Sequence, residues 1–361
     1  MLLEERLVSN ADNIVLIVKG GIGRNIMATA VVRAIKKAYP DKPLSVIAGC
    51  PDVFLRSPHI KRVMRMGQSV YFFQDFMLDK KTIFLDVEPY HHFDYIYNRR
   101  HFVECWCDML GIPNDGIYPE IHFSESEKRM AQLFLEKFDR PMVLLQHCGG
   151  KFPKDKTEKE DIISRAGMYR RDLPKEEVDK LVDELIKMGY MVGSVQHENQ
   201  YCPAKAEKIN FPVRAIIALG LFSKGFIGID SFLMHGMAAI KSKGVVCWGG
   251  THPSALSYPH FDNLMRKVCP TPMCHRPNSY LFDVEPTGFM WDCPHDAKCM
   301  KYTAKQILEA FKKRFGGKDG GGKITDNQKG KARKKEKRLD TNSGGSGKSG
   351  RTSERAACPC K

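Results

Sequence analysis

The segment Gly228-Ile229-Asp230-Ser231-Phe232-Leu233-Met234-His235-Gly236 carries the densest chemistry in the chain. Its apolar start reads as a buried strand, so Asp230 and Ser231 fall where strand gives way to helix. Ser231 is placed to cap that helix, and the amides behind it suit phosphate oxygens. His235 follows Ser231 by four residues, one helical turn, within reach of the same anion. A capping serine and a packed histidine would account for the segment in purely structural terms.

Near the amino terminus, Gly20-Gly21-Ile22-Gly23 follows the apolar run Asn13–Val18 and precedes a helical pattern. Gly21 and Gly23 would allow backbone to approach an acceptor or a phosphate, and equally a tight strand–helix turn. As a dinucleotide fingerprint the segment is poor, since Ile26 stands where a third glycine belongs. Cys269, Cys274, Cys293 and Cys299 are paired in sequence as structural zinc ligands are, with wider gaps than usual. A reduced thiol cluster is the simpler reading, and neither a metal nor a cofactor is expected.

The elements that must hold these residues alternate. Asn13–Val18 and Leu44–Ala48 read as strands flanking a helix with Ile26, Ala30, Ala34 and Ala38 on its apolar face, a parallel crossover unit. From about 60 to 125 the chain is rich in aromatics and shows no clear period. A second series opens with Met142–Gln146 and the turn His147–Gly150, followed by a basic insertion to about 172. Helix from Pro174, strand Tyr190–Val195, helix Arg214–Phe222, strand Phe226–Ile229, helix Phe232–Ile240 and strand Val245–Trp248 come next. A helix over Thr303–Phe315 closes the folded part.

The 361-residue chain carries a formal charge of +15, of which a net +8 lies in residues 316–361. That segment lacks a core-forming pattern and reads as a disordered basic tail. It is a solvated extension, or an arm for nucleic acid or an anionic membrane surface. With so much of the excess in a tail, overall basicity does not imply a nucleic-acid enzyme. No apolar run approaches the ~20 residues of a membrane span. The opening residues lack the basic-then-apolar pattern of a secretory signal. A cytoplasmic location with reduced thiols is the expectation.

The segment from Asp230 resembles the DTGLTHLAAAL signature of glycosyltransferase family 9, the lipopolysaccharide heptosyltransferase-like enzymes, with Asp230 and His235 at family spacing and Ser231 for its Thr. Trp248–Pro253 is similar to the family's GPT-x-P loop, Arg171-Asp172-Leu173-Pro174 to K-x-W-P, and His147-Cys148-Gly149 to H-P-G. Cys293 and Cys299-Met300 are similar to its closing C…CM segment.

This resemblance implies an α/β GT-B fold: two Rossmann-like domains facing a cleft. Their bounds here would be 12–138 for the acceptor domain and 139–315 for the donor domain, with the tail at 316–361. It implies metal-independent, inverting transfer of a sugar, such as a heptose, from a nucleotide-activated donor to a glycan or lipid-linked acceptor. Gly149, Arg171, Glu198, Asp230, Ser231 and His235 would bind the donor. The family's base is an Asp after the glycine of the first turn; here Arg24 stands in that place and cannot serve as a base. Arg24 would instead hold a phosphate or a carboxylate, and the base would be sought among Glu88, His91 and Asp94. The alternative is a catalytically silent nucleotide-sugar- or glycan-binding protein of the same fold. A third reading is a nucleic-acid-associated protein acting through its tail.

Overall fold

The interior strands of this protein are nearly unbroken apolar runs, as strands covered on both faces must be. The structure is a computed structural model that describes residues 8, 10–68, 71–149, 171–198, 200–269 and 295–316. Met1–Phe315 forms one compact unit. The basic insertion, Cys274, Cys293 and the expected disordered tail beyond Gly316 lie outside the described residues.

The first half contains β1 (Asn13–Val18), α1 (Ile22–Ala38), β2 (Leu44–Ala48), β3 (Arg62–Arg65), α2 (Phe72–Phe76) and β4 (Thr82–Leu85). Then come α3 (Phe93–Ile96), α4 (Phe102–Leu110) and α5 (Glu125–Leu135). Its sheet is wholly parallel, in the order β3-β2-β1-β4, with Leu16 paired to Val46 on one side and Leu85 on the other. The unread aromatic stretch closes one side of this core. Tyr90, Tyr95, Phe102 and Trp106 are buried there and meet edge-on or tilted at 4.6–5.6 Å between ring centroids.

The second half contains β5 (Met142–Leu145), α6 (Lys175–Lys187), β6 (Met191–Val195), β7 (Glu207–Ile209), α7 (Val213–Gly220), β8 (Gly225–Ile229) and α8 (Phe232–Ala239). It continues with β9 (Gly244–Trp248), α9 (Pro253–Leu256), β10 (Asp262–Met265) and α10 (Ala304–Phe315). These strands are also all parallel, in the order β10-β9-β8-β5-β6-β7.

Helices α1 and α8 pack along each other, and α5 packs on α7, so the halves meet through helices. One apolar cluster takes side chains from both: Leu16, Ile26 and Val31 from the first, Leu144, Met234 and Trp248 from the second. A second cluster fills the far side of the larger sheet under α6 and α10. No helix among the described residues is long and apolar enough to cross a membrane.

Candidate active site

In each sheet the strand order reverses beside the first strand of its half, and there the loops from two carboxyl edges diverge into a crevice. In the smaller sheet the crevice lies between β1 and β4; in the larger, between β5 and β8. The chain places its charged residues at both.

At the first crevice, β1 runs into Lys19 and the glycine turn, and β4 into Asp86, Val87 and Glu88. Lys19 Nζ donates to Asp86 at 2.6 Å. Asn25, fully buried, shapes the turn: its amide nitrogen donates to the Gly20 and Gly21 carbonyls, and its oxygen accepts the Cys50 amide beyond β2. Gly20 has φ +85°, a conformation that glycine adopts without strain. A Cβ on Gly21 would meet nothing within 4 Å, so this glycine faces open space. Gly23 does not: a Cβ there would lie 2.9 Å from Cδ2 of the His235 ring. It is the glycine that lets α1 and α8 touch.

Arg24 points inward and is 3% exposed. Its Nη1 donates to both Glu88 carboxylate oxygens, at 2.9 and 2.7 Å, and Nη2 to the Val87 carbonyl at 3.2 Å. The guanidinium carbon lies 5.1 Å from the Trp106 ring centroid and 5.6 Å from that of Tyr90. Glu88 also caps the 3-10 turn Pro89–His91 by accepting the Tyr90 amide. His91 is exposed on that turn. Asp94 accepts from Arg100 at 3.4 Å, on α3. Glu88 is joined to the first turn through its hydrogen bonds with Arg24.

At the second crevice, Gly149 donates its amide to Asp172 at 2.9 Å and accepts Gln200 Nε2 at 3.1 Å. The Arg171 guanidinium lies across Gly149, with its atoms 3.6 Å from where a Cβ would stand, and Nη1 reaches the Asp230 carbonyl at 3.3 Å. A Cβ at 149 would meet that guanidinium at ordinary van der Waals distance. Arg171 therefore spans the mouth from the β5 turn to the β8 turn. Burial pushes the Asp172 carboxyl up to about 7, against the opposing pull of the Gly149 amide and Arg171. Asp230 accepts the Thr251 hydroxyl at 2.7 Å, which ties the β8 turn to the loop after β9.

Ser231 occupies the N-cap of α8 in extended backbone but makes no capping side-chain bond. The Leu233 amide is taken instead by Gln146 at 3.2 Å, from the end of β5. His235 is 3% exposed, with Nδ1 2.9 Å from the Tyr258 hydroxyl. Burial lowers its pKa to about 3, so it is neutral near pH 7 and carries no charge to set against a phosphate. It is a seam residue between α8 and α1. Glu198 is exposed beyond β6, and its carbonyl accepts Lys208. Asn25, Gln146 and Gln200 were missed by sequence reasoning; a polar residue one or two places past a buried strand is the signal that could have found Gln146.

The sequence matches no protein-family model and no curated protein. Solved structures do match. A glycosyltransferase family 9 protein from Veillonella parvula superposes with a TM-score of 0.57 at 14% identity, over 84% of this chain and 97% of that one. The E. coli heptosyltransferase TibC, in complex with ADP-D-beta-D-heptose, gives 0.61 at 13% identity, over 87% and 80%. This is the GT-B fold. E. coli ADP-heptose LPS heptosyltransferase II has the same GT-B architecture, with a TM-score of 0.52 at 16% identity over 77% of this chain and 96% of that one. Two parallel α/β sheets, one in each half, agree with the GT-B fold that the resemblance implied.

Proposed function

We propose that this protein is a cytoplasmic glycosyltransferase of family 9 type, transferring a sugar such as a heptose from a nucleoside diphosphate to a glycan or lipid-linked acceptor. The observation that carries the reading is Arg171 laid over Gly149 and onto the Asp230 carbonyl, a fixed cation across the crevice of the second sheet. A leaving diphosphate bound there would be met by a guanidinium, with no metal required. Glu88, at the crevice of the first sheet, would take the proton of the acceptor hydroxyl. The acceptor oxygen would then bond to the anomeric carbon as the bond to the diphosphate breaks, inverting the centre. TibC was solved with ADP-heptose, which makes an ADP-sugar the first donor to try.

Calorimetric titration with ADP, UDP and GDP tests the donor site. One of them should bind, and Arg171→Ala should weaken it by roughly 10- to 100-fold, since a charge-assisted contact contributes ~1.5–3 kcal/mol. No binding by any of the three in the millimolar range would remove the assignment. The silent-binder reading is favoured by one observation, the arginine at position 24; it predicts nucleotide binding without release of sugar.

A further inference from the structure

A cation at position 24 is anomalous on physical grounds alone. It sits in the first turn of α1, where the helix dipole favours anions, and it is almost wholly removed from water. Such a residue persists where its surroundings supply compensating charge. Here the compensation is local: two bonds to Glu88, one to the Val87 carbonyl, and the faces of Trp106 and Tyr90, with Nε left buried without a hydrogen-bond partner. The guanidinium is thus turned away from any ligand and spent on one carboxylate. That carboxylate is the partner left at the surface, its side chain 28% exposed against 2% for Arg24.

We infer that Arg24 is a positioning residue: it fixes the Glu88 carboxylate over the crevice between β1 and β4, so that the acid of this site comes from the end of β4 and not from the α1 turn. The inference rests on the transferase reading above. Glu88 lies three residues beyond β4, on a loop that would otherwise leave a glutamate several rotamers. Two hydrogen bonds from a buried, stacked guanidinium reduce them to one. The glycine turn that Arg24 belongs to is left open at Gly21.

The test measures nucleotide affinity by calorimetry and nucleoside diphosphate release from ADP-, UDP- and GDP-sugars. The proteins are wild type, Arg24→Met, Arg24→Lys, Glu88→Gln and the double variant Arg24→Met/Glu88→Gln. Glu88→Gln should lower kcat by roughly 10²- to 10⁴-fold, the range for loss of a general base. Arg24→Met should lower kcat by about 10²-fold, as misplacement of a reacting group does. Nucleotide affinity should be unchanged in both. Arg24→Lys should recover part of the loss, and the double variant should be no worse than Glu88→Gln. A purely structural role would instead lower the melting temperature and active fraction, with losses that multiply in the double variant. Bound nucleotide with turnover undiminished in Arg24→Met, or with none in any of the proteins, overturns the inference and leaves the donor site standing. Failure to bind any nucleotide sinks both.

Discussion

Arg214→Met should be among the most destabilising single changes that leave the apolar core intact. Arg214, in the first turn of α7, is buried and holds together segments far apart in sequence. Its Nε and Nη2 donate to the two Glu127 oxygens at 2.7 and 3.0 Å, Nη2 also to the His122 carbonyl at 2.7 Å, and Nη1 to the Asp52 and Leu55 carbonyls at 3.2 and 3.4 Å. Met keeps the apolar volume and removes every one of these bonds. The two charge-assisted bonds contribute ~1.5–3 kcal/mol. Three carbonyls lose a donor for about 1 kcal/mol more, since water can reach part of that surface. Glu127, its side chain 29% exposed, softens the loss by rehydrating. The total is about 3 kcal/mol, or roughly 4–5 °C for a unit of this size.

Urea and thermal unfolding at several pH values would measure it. Arg214, followed by the Ser124 cap, holds the Glu127 carboxyl at about 2, below its ordinary 4.5. The stability from this depressed acid is fully present above about 4.5 and is lost as pH falls toward 2. The gap between wild type and Arg214→Met should therefore narrow over that window. A difference under 1 kcal/mol, or one that does not change between pH 6 and 3, would refute the reasoning.

Because Asp172 titrates near 7 beside Arg171, diphosphate binding should be strongest below that pH and weaken as the ionising carboxylate adds a second anion. Calorimetry across pH 6–8.5 checks this, and Asp172→Asn should flatten the dependence. Gly23→Ala should lower the melting temperature despite alanine's better helix propensity, because its Cβ would press on His235; His235→Ala should recover part of the loss. A chain ending at Gly316 keeps all of α10 and should retain both its melting temperature and its nucleotide affinity. Salt-sensitive binding of RNA or anionic vesicles by the full chain alone would give the tail a partner.

What could be read from sequence, and what could not, follows the sheet. The interior strands β1, β2, β5, β6, β8 and β9 announce themselves as apolar runs, because both of their faces are covered. All four edge strands escaped notice: β3, β4, β7 and β10 are three or four residues long, and Arg62-Val63-Met64-Arg65 and Glu207-Lys208-Ile209 have too little buried surface to impose a pattern. The consequence at the site is direct. Arg24 stood out as an oddity in its turn, but its partner comes from the end of an edge strand, 64 residues away, so the pairing had no signature. Ser231 is the reverse case: a well-placed N-cap by type whose hydroxyl caps nothing, because Gln146 reaches the helix from the neighbouring strand. Tyr90 and Trp106, the faces that stack on Arg24, fall in the stretch without periodicity, where packing between aromatics replaces repeat spacing.

The seam of α1 and α8 has a bearing on motion. Many two-lobed enzymes admit substrate by hinging apart, and a hinge needs a place where few contacts break. Here α1 and α8 touch at Gly23 against the His235 ring, and the apolar cluster behind them draws on both lobes. Opening along that line would wet side chains that are dry in both halves, so its amides should exchange with solvent as slowly as the most protected strands. The seam is a fulcrum. Sugar and acceptor would enter sideways along the groove, past the rim where the Ser254 hydroxyl donates to the Asn98 carbonyl and the His101 and Tyr258 rings lie 5.4 Å apart.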